Sequence, residues 1–273
     1  MQTIKSWPIS GFFIISSLYS QPHQEPRMTM TRKVALITGS ATGIGRAAAV
    51  RFAREGLAVA VNYSRSEKEA RETLAQVQAL GVPAILCPAN VADEAAVKTM
   101  VARCRSELGG LDVLVNNAGT TRFIEHSDLA ALTSEVWDEI MGVNLKGTFF
   151  CCREAMPALQ ERGGAIVNVT SVAGIVGLGS SIPYAASKAA LNCLTKSLAR
   201  AFAPKVRVNA VAPGPVLTRW LADHMDHVEK SMEVTPMRRA ATPEDIADAI
   251  AFLALGSTLI TGQVMVLDGG RTM

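Results

Sequence analysis

Seven short apolar runs alternate with longer helical patterns from Lys33 to the end of this 273-residue chain. Nearly continuous apolar runs of this length are typical of strands that are buried on both faces of a parallel sheet. The runs are VALIT from Val34, AVAVN from Ala58, AILCPA from Ala84, DVLVNN from Asp112, AIVNVTS from Ala165, VRVNAVAP from Val206 and VMVLDGG from Val264. Their alternation with helices predicts an α/β fold, a doubly wound parallel sheet of about seven strands with helices on both faces.

The composition favours one large domain that handles a small molecule. Hydrophobic residues make up 49% of the chain, which is enough for a substantial core, and the formal net charge is only +3. The charges form neither a basic stripe nor an acidic tail, so we expect no nucleic-acid partner. The five cysteines show no CxxC or Cys/His ligand spacing, which indicates reduced thiols and a cytoplasmic location.

The first 30 residues differ in character from the rest of the chain. Lys5 precedes an apolar run that roughly resembles a signal peptide, but Pro8 and Gly11 interrupt it and it is too short to span a bilayer. We therefore expect residues 1–30 to be a disordered or mis-started extension, with targeting as the alternative. Residues 31–273 would then form the single folded domain.

A glycine-rich segment, TGSATGIG, directly follows the first predicted strand. Such a strand-to-helix junction presents free backbone N–H groups and the positive end of the helix dipole to a diphosphate. The alternative is a simple turn, but three glycines spaced as GxxxGxG exceed what a turn requires. We therefore expect a Rossmann-type dinucleotide site. Its contacts in this loop would come from Gly39, Ser40, Thr42, Gly43, Ile44 and Gly45.

The residues after the second strand indicate which dinucleotide fits. An NAD site usually offers an acidic side chain there for the ribose 2′-hydroxyl, whereas a 2′-phosphate requires cationic or neutral donors. The segment VNYSRS contains no carboxylate, and Tyr63, Ser64 and Arg65 are the candidate contacts. Arg65 can bind a phosphate through two N–H groups, unless its side chain simply faces solvent. The cofactor NADP(H) is therefore favoured, and NAD(H) stays open.

Tyr184 and Lys188, in the segment SSIPYAASK, lie four residues apart at the start of an alanine-rich helical pattern. Residues at this spacing share a helix face, so the phenol and the ammonium would point toward the same region. On its own, the spacing fits either a catalytic pair or a solvated face.

Taken in order, these motifs resemble those of the short-chain dehydrogenase/reductase family, and the resemblance runs from about Lys33 to the C-terminus. It includes an NNAG motif after the fourth strand and a serine 13 residues before the tyrosine. The matching residues are Asn116, Asn117, Ala118 and Gly119 in NNAG, Asn144 in MGVNLKGTFF, Ser171 in NVTSVAG, and Pro213, Gly214 and Thr218 after the sixth strand.

The resemblance implies catalytic roles for Asn144, Ser171, Tyr184 and Lys188. The tyrosine would be the general acid/base and the lysine would favour its phenolate, while the serine binds the substrate oxygen. The asparagine would hold a water molecule linked to the lysine, and an amide that stabilises a kinked helix is a compatible alternative. Further cofactor contacts are implied for Asn90, Val91, Asn117, Ala118, Gly119, Tyr184, Lys188, Pro213, Gly214, Val216 and Thr218.

The chain departs from the family pattern at two positions. Asn90 stands after the third strand, where the family usually has an aspartate near the adenine, and an amide can still bind the adenine edge. Thr42 stands before the middle glycine, where many NADP-dependent members carry a basic residue. This second departure weakens the prediction of NADP(H).

The leading functional hypothesis is an NADP(H)-dependent oxidoreductase that interconverts a carbonyl and a secondary alcohol. The motif order is similar to the 3-oxoacyl-carrier-protein reductase branch, which implies a 3-oxoacyl thioester. An NAD-linked secondary-alcohol or sugar dehydrogenase of the same family is the first alternative. A non-catalytic dinucleotide-binding sensor or scaffold is the second, and the complete set of four catalytic residues argues against it.

Three expectations concern the rest of the molecule. Residues 217–241 would cover the substrate, with Trp220 favouring an apolar pocket. His224 and His227 have no third ligand nearby, so we expect solvated side chains and no metal. The helical patterns over residues 134–162 and 183–203 are apolar on more than one side, and in the family these helices pack against symmetry mates. We therefore expect a homotetramer or homodimer. We expect no membrane partner.

Overall fold

The structure, a computed structural model, describes residues 32–224 and 231–273, without the side chains of residues 222–224. Its centre is a seven-stranded sheet in the order β3-β2-β1-β4-β5-β6-β7, and every neighbouring pair is parallel. The strands are β1 (Val34–Ile37), β2 (Ala58–Tyr63), β3 (Ala84–Pro88), β4 (Val113–Asn116), β5 (Ala165–Val169), β6 (Arg207–Pro213) and β7 (Val264–Leu267). The α/β prediction and all seven strands are confirmed, with ends that differ by one to three residues.

The helices lie between the strands in sequence. They are α1 (Gly43–Arg54), α2 (Glu67–Gln78), α3 (Glu94–Leu108), α4 (Ser134–Met141), α5 (Thr148–Arg162), α6 (Ala173–Val176), α7 (Ile182–Phe202) and α8 (Pro243–Ala251). A π-helical turn, Gly142–Gly147, joins α4 to α5, so the long helical pattern over residues 134–162 is not one regular helix. Within the described parts of the chain, no helix has the length and apolar character needed to cross a bilayer.

Alternate residues of the strands enter two separate apolar cores. In β1, Ala35 and Ile37 pack with α1 and α8 on one face, whereas Val34 and Leu36 pack with α3 and α5 on the other. This is why the strands read as continuous apolar runs rather than as an alternating pattern. Phe52 of α1 and Leu159 of α5 are fully buried, one in each core.

The strand order reverses between β1 and β4, and this reversal places the functional residues. Ligands of doubly wound sheets bind at the carboxyl ends of the strands beside such a switch point. The glycine loop follows β1 and the NNAG motif begins in β4, so the two motifs meet at that crevice. The first 30 residues, for which we predicted an extension, lie outside the described residues.

Candidate active site

The glycine loop has the geometry of an anion cradle. Gly39 and Gly43 have positive φ angles of 61° and 56°, which side chains rarely adopt. At Gly45 an added Cβ would lie 2.5 Å from the Gly39 carbonyl oxygen, so only glycine allows α1 to start this close to the loop. Thr42 precedes α1 without capping it through its side chain, and the first turn contains no acidic residue. The leading N–H groups of α1 are therefore suited to a diphosphate, and the residues fit a dinucleotide.

A buried asparagine in β2 holds this loop in place. Asn62 accepts a hydrogen bond from the Gly39 N–H at 2.9 Å through Oδ1. Its Nδ2 donates to the carbonyl oxygens of Cys87 at 2.9 Å and Ala89 at 3.1 Å. One amide thus ties the glycine loop to the ends of β2 and β3. The sequence analysis assigned Asn62 no role, although an asparagine in an otherwise apolar strand was a usable signal.

The NNAG motif packs directly on the same loop. Asn117 donates from Nδ2 to the carbonyl oxygens of Thr38 at 3.0 Å and Gly39 at 2.9 Å. The Thr38 hydroxyl oxygen accepts from the backbone N–H groups of Asn117 and Ala118, both at 3.0 Å. Gly119 is next to the catalytic cluster, since a Cβ there would lie 3.7 Å from Lys188 Nζ.

The predicted adenosine contacts lie at the ends of β2 and β3. Tyr63 is half-buried, and Ser64 and Arg65 are exposed beyond it. Asn90 is exposed and accepts from the Ala92 N–H at 3.1 Å through Oδ1, which leaves its amino group as a donor toward a ligand. The neighbouring Val91 is buried.

The predicted catalytic residues meet where β5 ends and α7 begins. Ser171 follows β5, while Tyr184 and Lys188 lie in the first turns of α7. Lys188 Nζ is 5.6 Å from the centre of the Tyr184 ring and donates to the Val169 carbonyl oxygen at 2.9 Å. The structure therefore brings all three side chains to one place, at the carboxyl edge of the sheet.

Burial controls the ionisation of this cluster. It raises the pKa of Tyr184, and the hydrogen bond with Ser171 lowers that pKa by a smaller amount. Burial also lowers the pKa of Lys188 to about 8. We expected the ammonium to favour the phenolate, but in this structure the net direction for Tyr184 is toward the neutral phenol, because desolvation is the larger effect. A neutral phenol is the form that can donate a proton.

Asn144 lies inside the π-helical turn and connects it to two other elements. Its Oδ1 accepts from the Thr120 N–H at 2.8 Å, and its Nδ2 donates to the Thr120 carbonyl oxygen and the Ser187 hydroxyl, both at 3.0 Å. These bonds fit the interpretation of an amide that stabilises a distorted helix, and π-turns often occur at functional sites. The sequence analysis missed Thr120 and Ser187 as partners, since neither belongs to a motif.

The segment after β6 closes the other side of the crevice. Pro213 ends β6, Gly214 follows it, and Val216 is buried. Thr218 packs on the glycine loop, with Cγ2 3.2 Å from the position of a Cβ on Gly43.

Trp220 lies 6.3 Å from Tyr184 between ring centres, so the predicted covering segment does reach the catalytic cluster. The described side chains contain no group of three histidine, cysteine or acidic residues that could hold a metal ion. The side chains of His224 and His227 lie outside the described residues.

A dinucleotide cradle beside a serine, tyrosine and lysine at the switch point defines an oxidoreductase that uses a nicotinamide dinucleotide. A family model described as Enoyl-(Acyl carrier protein) reductase matches residues 39–272. The chain is 42% identical over 252 residues to 3-oxoacyl-[acyl-carrier-protein] reductase FabG of Staphylococcus aureus, covering 90% of this chain and 100% of that protein.

Two further relatives agree with this match. One, from Streptomyces violaceoruber, carries the name of a ketoacyl reductase of the granaticin polyketide synthase; it is 46% identical over 244 residues, or 87% of this chain and 95% of the relative. A solved short-chain dehydrogenase/reductase of Serratia marcescens superposes with a TM-score of 0.83 at 33% identity, covering 89% of this chain and 99% of that one. The chain belongs to the short-chain dehydrogenase/reductase family and is an NAD(P)-dependent oxidoreductase.

Proposed function

We propose that this chain is an NADP(H)-dependent reductase that converts the ketone of a 3-oxoacyl thioester to a secondary alcohol. The observation that carries the proposal is the half-buried Tyr184 phenol, whose pKa the adjacent Ser171 lowers and whose ring centre lies 5.6 Å from Lys188 Nζ. Relatives at 42% and 46% identity bear the names of 3-oxoacyl and ketoacyl reductases, which supports a β-keto substrate.

NADP(H) would supply the hydride. The Tyr184 phenol would donate its proton to the ketone oxygen, and the Ser171 hydroxyl would hydrogen-bond the same oxygen as negative charge develops on it. Lys188, anchored on the Val169 carbonyl, would hold a positive charge next to the resulting phenolate and stabilise it. Asn144 would position this cluster through its bonds to Thr120 and Ser187.

The cofactor would lie across the carboxyl edge of the sheet. The cradle after β1 would take the diphosphate, the residues after β2 the ribose 2′-phosphate, and those after β3 the adenine. The proposed contacts are Gly39, Ser40, Thr42, Gly43, Ile44, Gly45, Tyr63, Ser64, Arg65, Asn90, Val91, Asn117, Ala118, Gly119, Tyr184, Lys188, Pro213, Gly214, Val216 and Thr218. The preference for NADP(H) rests on Arg65 and on the absence of a carboxylate among residues 62–66.

The remaining parts of the proposal concern the setting of the enzyme. Residues 31–273 would be the catalytic domain, working in the cytoplasm as a homotetramer or homodimer. Trp220, which is partly exposed beside Tyr184, would form an apolar wall for the acyl chain.

A substrate panel tests the proposed reaction. Oxidation of NADPH and of NADH would be followed with acetoacetyl-CoA, a simple diketone and, in the reverse direction, sugars and secondary alcohols. We expect the highest kcat/KM for NADPH with the 3-oxoacyl thioester. A higher kcat/KM with NAD and a sugar or alcohol would contradict the proposal in favour of a dehydrogenase of the same family.

A further inference from the structure

Arg219, on the segment that covers the active site, makes two contacts that the proposed catalytic roles do not explain. Its guanidinium donates to the Ser66 hydroxyl at 2.9 Å and to the Glu69 carboxylate at 3.3 Å. Both partners belong to the start of α2, about 150 residues earlier in the chain. The covering segment therefore reaches the far end of the crevice, away from Tyr184.

The place that Arg219 reaches is the place where dinucleotides with and without a 2′-phosphate differ. In folds of this class, the residues after the second strand contact the ribose 2′ position. Here β2 ends at Tyr63, and Ser66 is three residues beyond it. Arg219 is hydrogen-bonded to Ser66, so its guanidinium lies close to that position and on the same turn as Arg65.

These two contacts by themselves stabilise the position of Arg219 only weakly. The Arg219 and Glu69 side chains are 58% and 36% exposed, and ion pairs between such exposed groups contribute little to stability. The ion pair nevertheless holds the planar Arg219 guanidinium, with its five N–H donors, at the turn. It also neutralises Glu69, a carboxylate that would repel a phosphate.

We propose that Arg219 is a second specificity-determining cation, which binds the 2′-phosphate of the dinucleotide together with Arg65. The inference rests on the proposed preference for NADP(H). The second cation comes from the segment over the substrate and not from the glycine loop, where Thr42 replaces the basic residue of many NADP-dependent relatives. Binding of the phosphate would then also hold Trp220, the next residue in the chain, beside Tyr184.

Calorimetric titration with two nucleotides tests this inference without turnover. Adenosine 2′,5′-bisphosphate and adenosine 5′-phosphate differ only in the 2′-phosphate. Arg219→Ala should raise the Kd of the bisphosphate about tenfold and leave that of the 5′-phosphate within about twofold, as expected for loss of a partly screened charge-assisted bond.

Arg71→Ala is the matched control. Arg71 lies on α2, the helix that carries Glu69, and forms an exposed ion pair with Glu67. Its loss therefore changes the net charge by the same amount as the loss of Arg219. If Arg71→Ala and Arg219→Ala weaken bisphosphate binding to the same degree, general electrostatics explain the effect and the inference is wrong. It is also wrong if Arg219→Ala weakens both nucleotides equally, because that outcome indicates a structural role.

The same titrations distinguish a failure of the proposed cofactor preference from a failure of the role proposed for Arg219. If the wild-type protein does not prefer the bisphosphate to the 5′-phosphate, the preference for NADP(H) is wrong and the role of Arg219 falls with it. If the wild type prefers the bisphosphate and Arg219→Ala does not change that preference, only the present inference is overturned. Circular dichroism of each variant verifies that the fold is intact.

Discussion

As the proposed general acid, Tyr184 has to meet two opposing demands. It must keep its proton until the substrate is bound, and burial raises its pKa accordingly. It must also lose that proton readily during the reaction, and the hydrogen bond from Ser171 favours the ionised form. A charged Lys188, 5.6 Å from the ring centre, would stabilise the resulting phenolate. The site thus holds a neutral acid next to groups that stabilise its conjugate base.

Replacement of Tyr184 by phenylalanine tests the assignment of the acid. The ring would keep its packing against Trp220, so folding and dinucleotide binding should stay nearly unchanged. Turnover should fall at least about a hundredfold, since a positioned general acid contributes that much. Steady-state kinetics with NADPH and acetoacetyl-CoA measures the effect. A variant that retains more than half of the wild-type rate would remove Tyr184 from the mechanism.

Lys188 predicts a pH dependence of stability. Its pKa is about 8 in the folded chain against an ordinary value of 10.5, because burial disfavours the ammonium. Between these two values the unfolded chain binds more protons, so the stability of the wild type should rise with pH relative to Lys188→Met. The difference of about 2.5 between the two pKa values corresponds to at most about 3.4 kcal/mol.

Urea unfolding of both proteins from pH 7 to pH 11 measures this difference. The Met variant is the reference that cancels the titration of all other groups common to both proteins. A difference in the free energy of unfolding that stays constant over this range would contradict the assigned pKa.

At the scale of elements, the junction of β1 and α1 depends on the close approach of the start of α1 to the glycine loop. The start of α1 lies against the Gly39 carbonyl, and Asn62 and Asn117 hold that loop from β2 and β4. Three strands of the sheet therefore determine the shape of one loop. A change at the point of closest approach should affect stability and dinucleotide binding together.

The variant Gly45→Ala tests this packing. Its Cβ would lie 2.5 Å from the Gly39 carbonyl oxygen and 2.6 Å from Asn117 Nδ2, so the loop must move. We expect a loss of about 1 to 3 kcal/mol in stability and much weaker binding of NADPH. Gly142→Ala is the control: it lies in helical conformation with φ of −58° and nothing within 4 Å of the added Cβ. This control should be neutral or slightly stabilising. Equal thermal stability and NADPH affinity of the two variants would show that the cradle does not require glycine at position 45.

At the scale of the whole molecule, one surface of α5 and α7 has the character of an interface. Phe149 is 40% exposed, and the Arg153 guanidinium lies 5.9 Å from the centre of its ring. Leu194 of α7 is also only partly buried in the described chain. Apolar side chains on the outer sides of two helices are typical of surfaces that another subunit covers.

We therefore predict assembly through these helices. Light scattering at micromolar concentration should give a tetramer, or at least a dimer, and Phe149→Glu should reduce the assembly size. Leu80→Glu serves as the control, because Leu80 is 42% exposed but follows α2, which packs on the opposite face of the sheet. A fully active wild-type monomer would refute the prediction, as would equal loss of assembly in both variants.

The sequence by itself determined the sheet, its direction and the identity of the motifs. Apolar runs such as Val34–Ile37 are readable because burial on both faces of a parallel strand admits few polar residues. The glycine spacing and the YxxxK pair are local, and a helix or turn converts such spacing directly into geometry. Fold class and candidate site could therefore be predicted before any contact was known.

Tertiary structure alone decided the contacts between residues that are distant in the chain. Asn62, Thr120 and Ser187 belong to no motif, and they became relevant only when folding brought them against Gly39 and Asn144. Arg219 meets Ser66 across 153 positions for the same reason. The sign of the pKa shift of Tyr184 also depends on packing, since desolvation is set by all the atoms that surround the phenol and not by its neighbours in sequence.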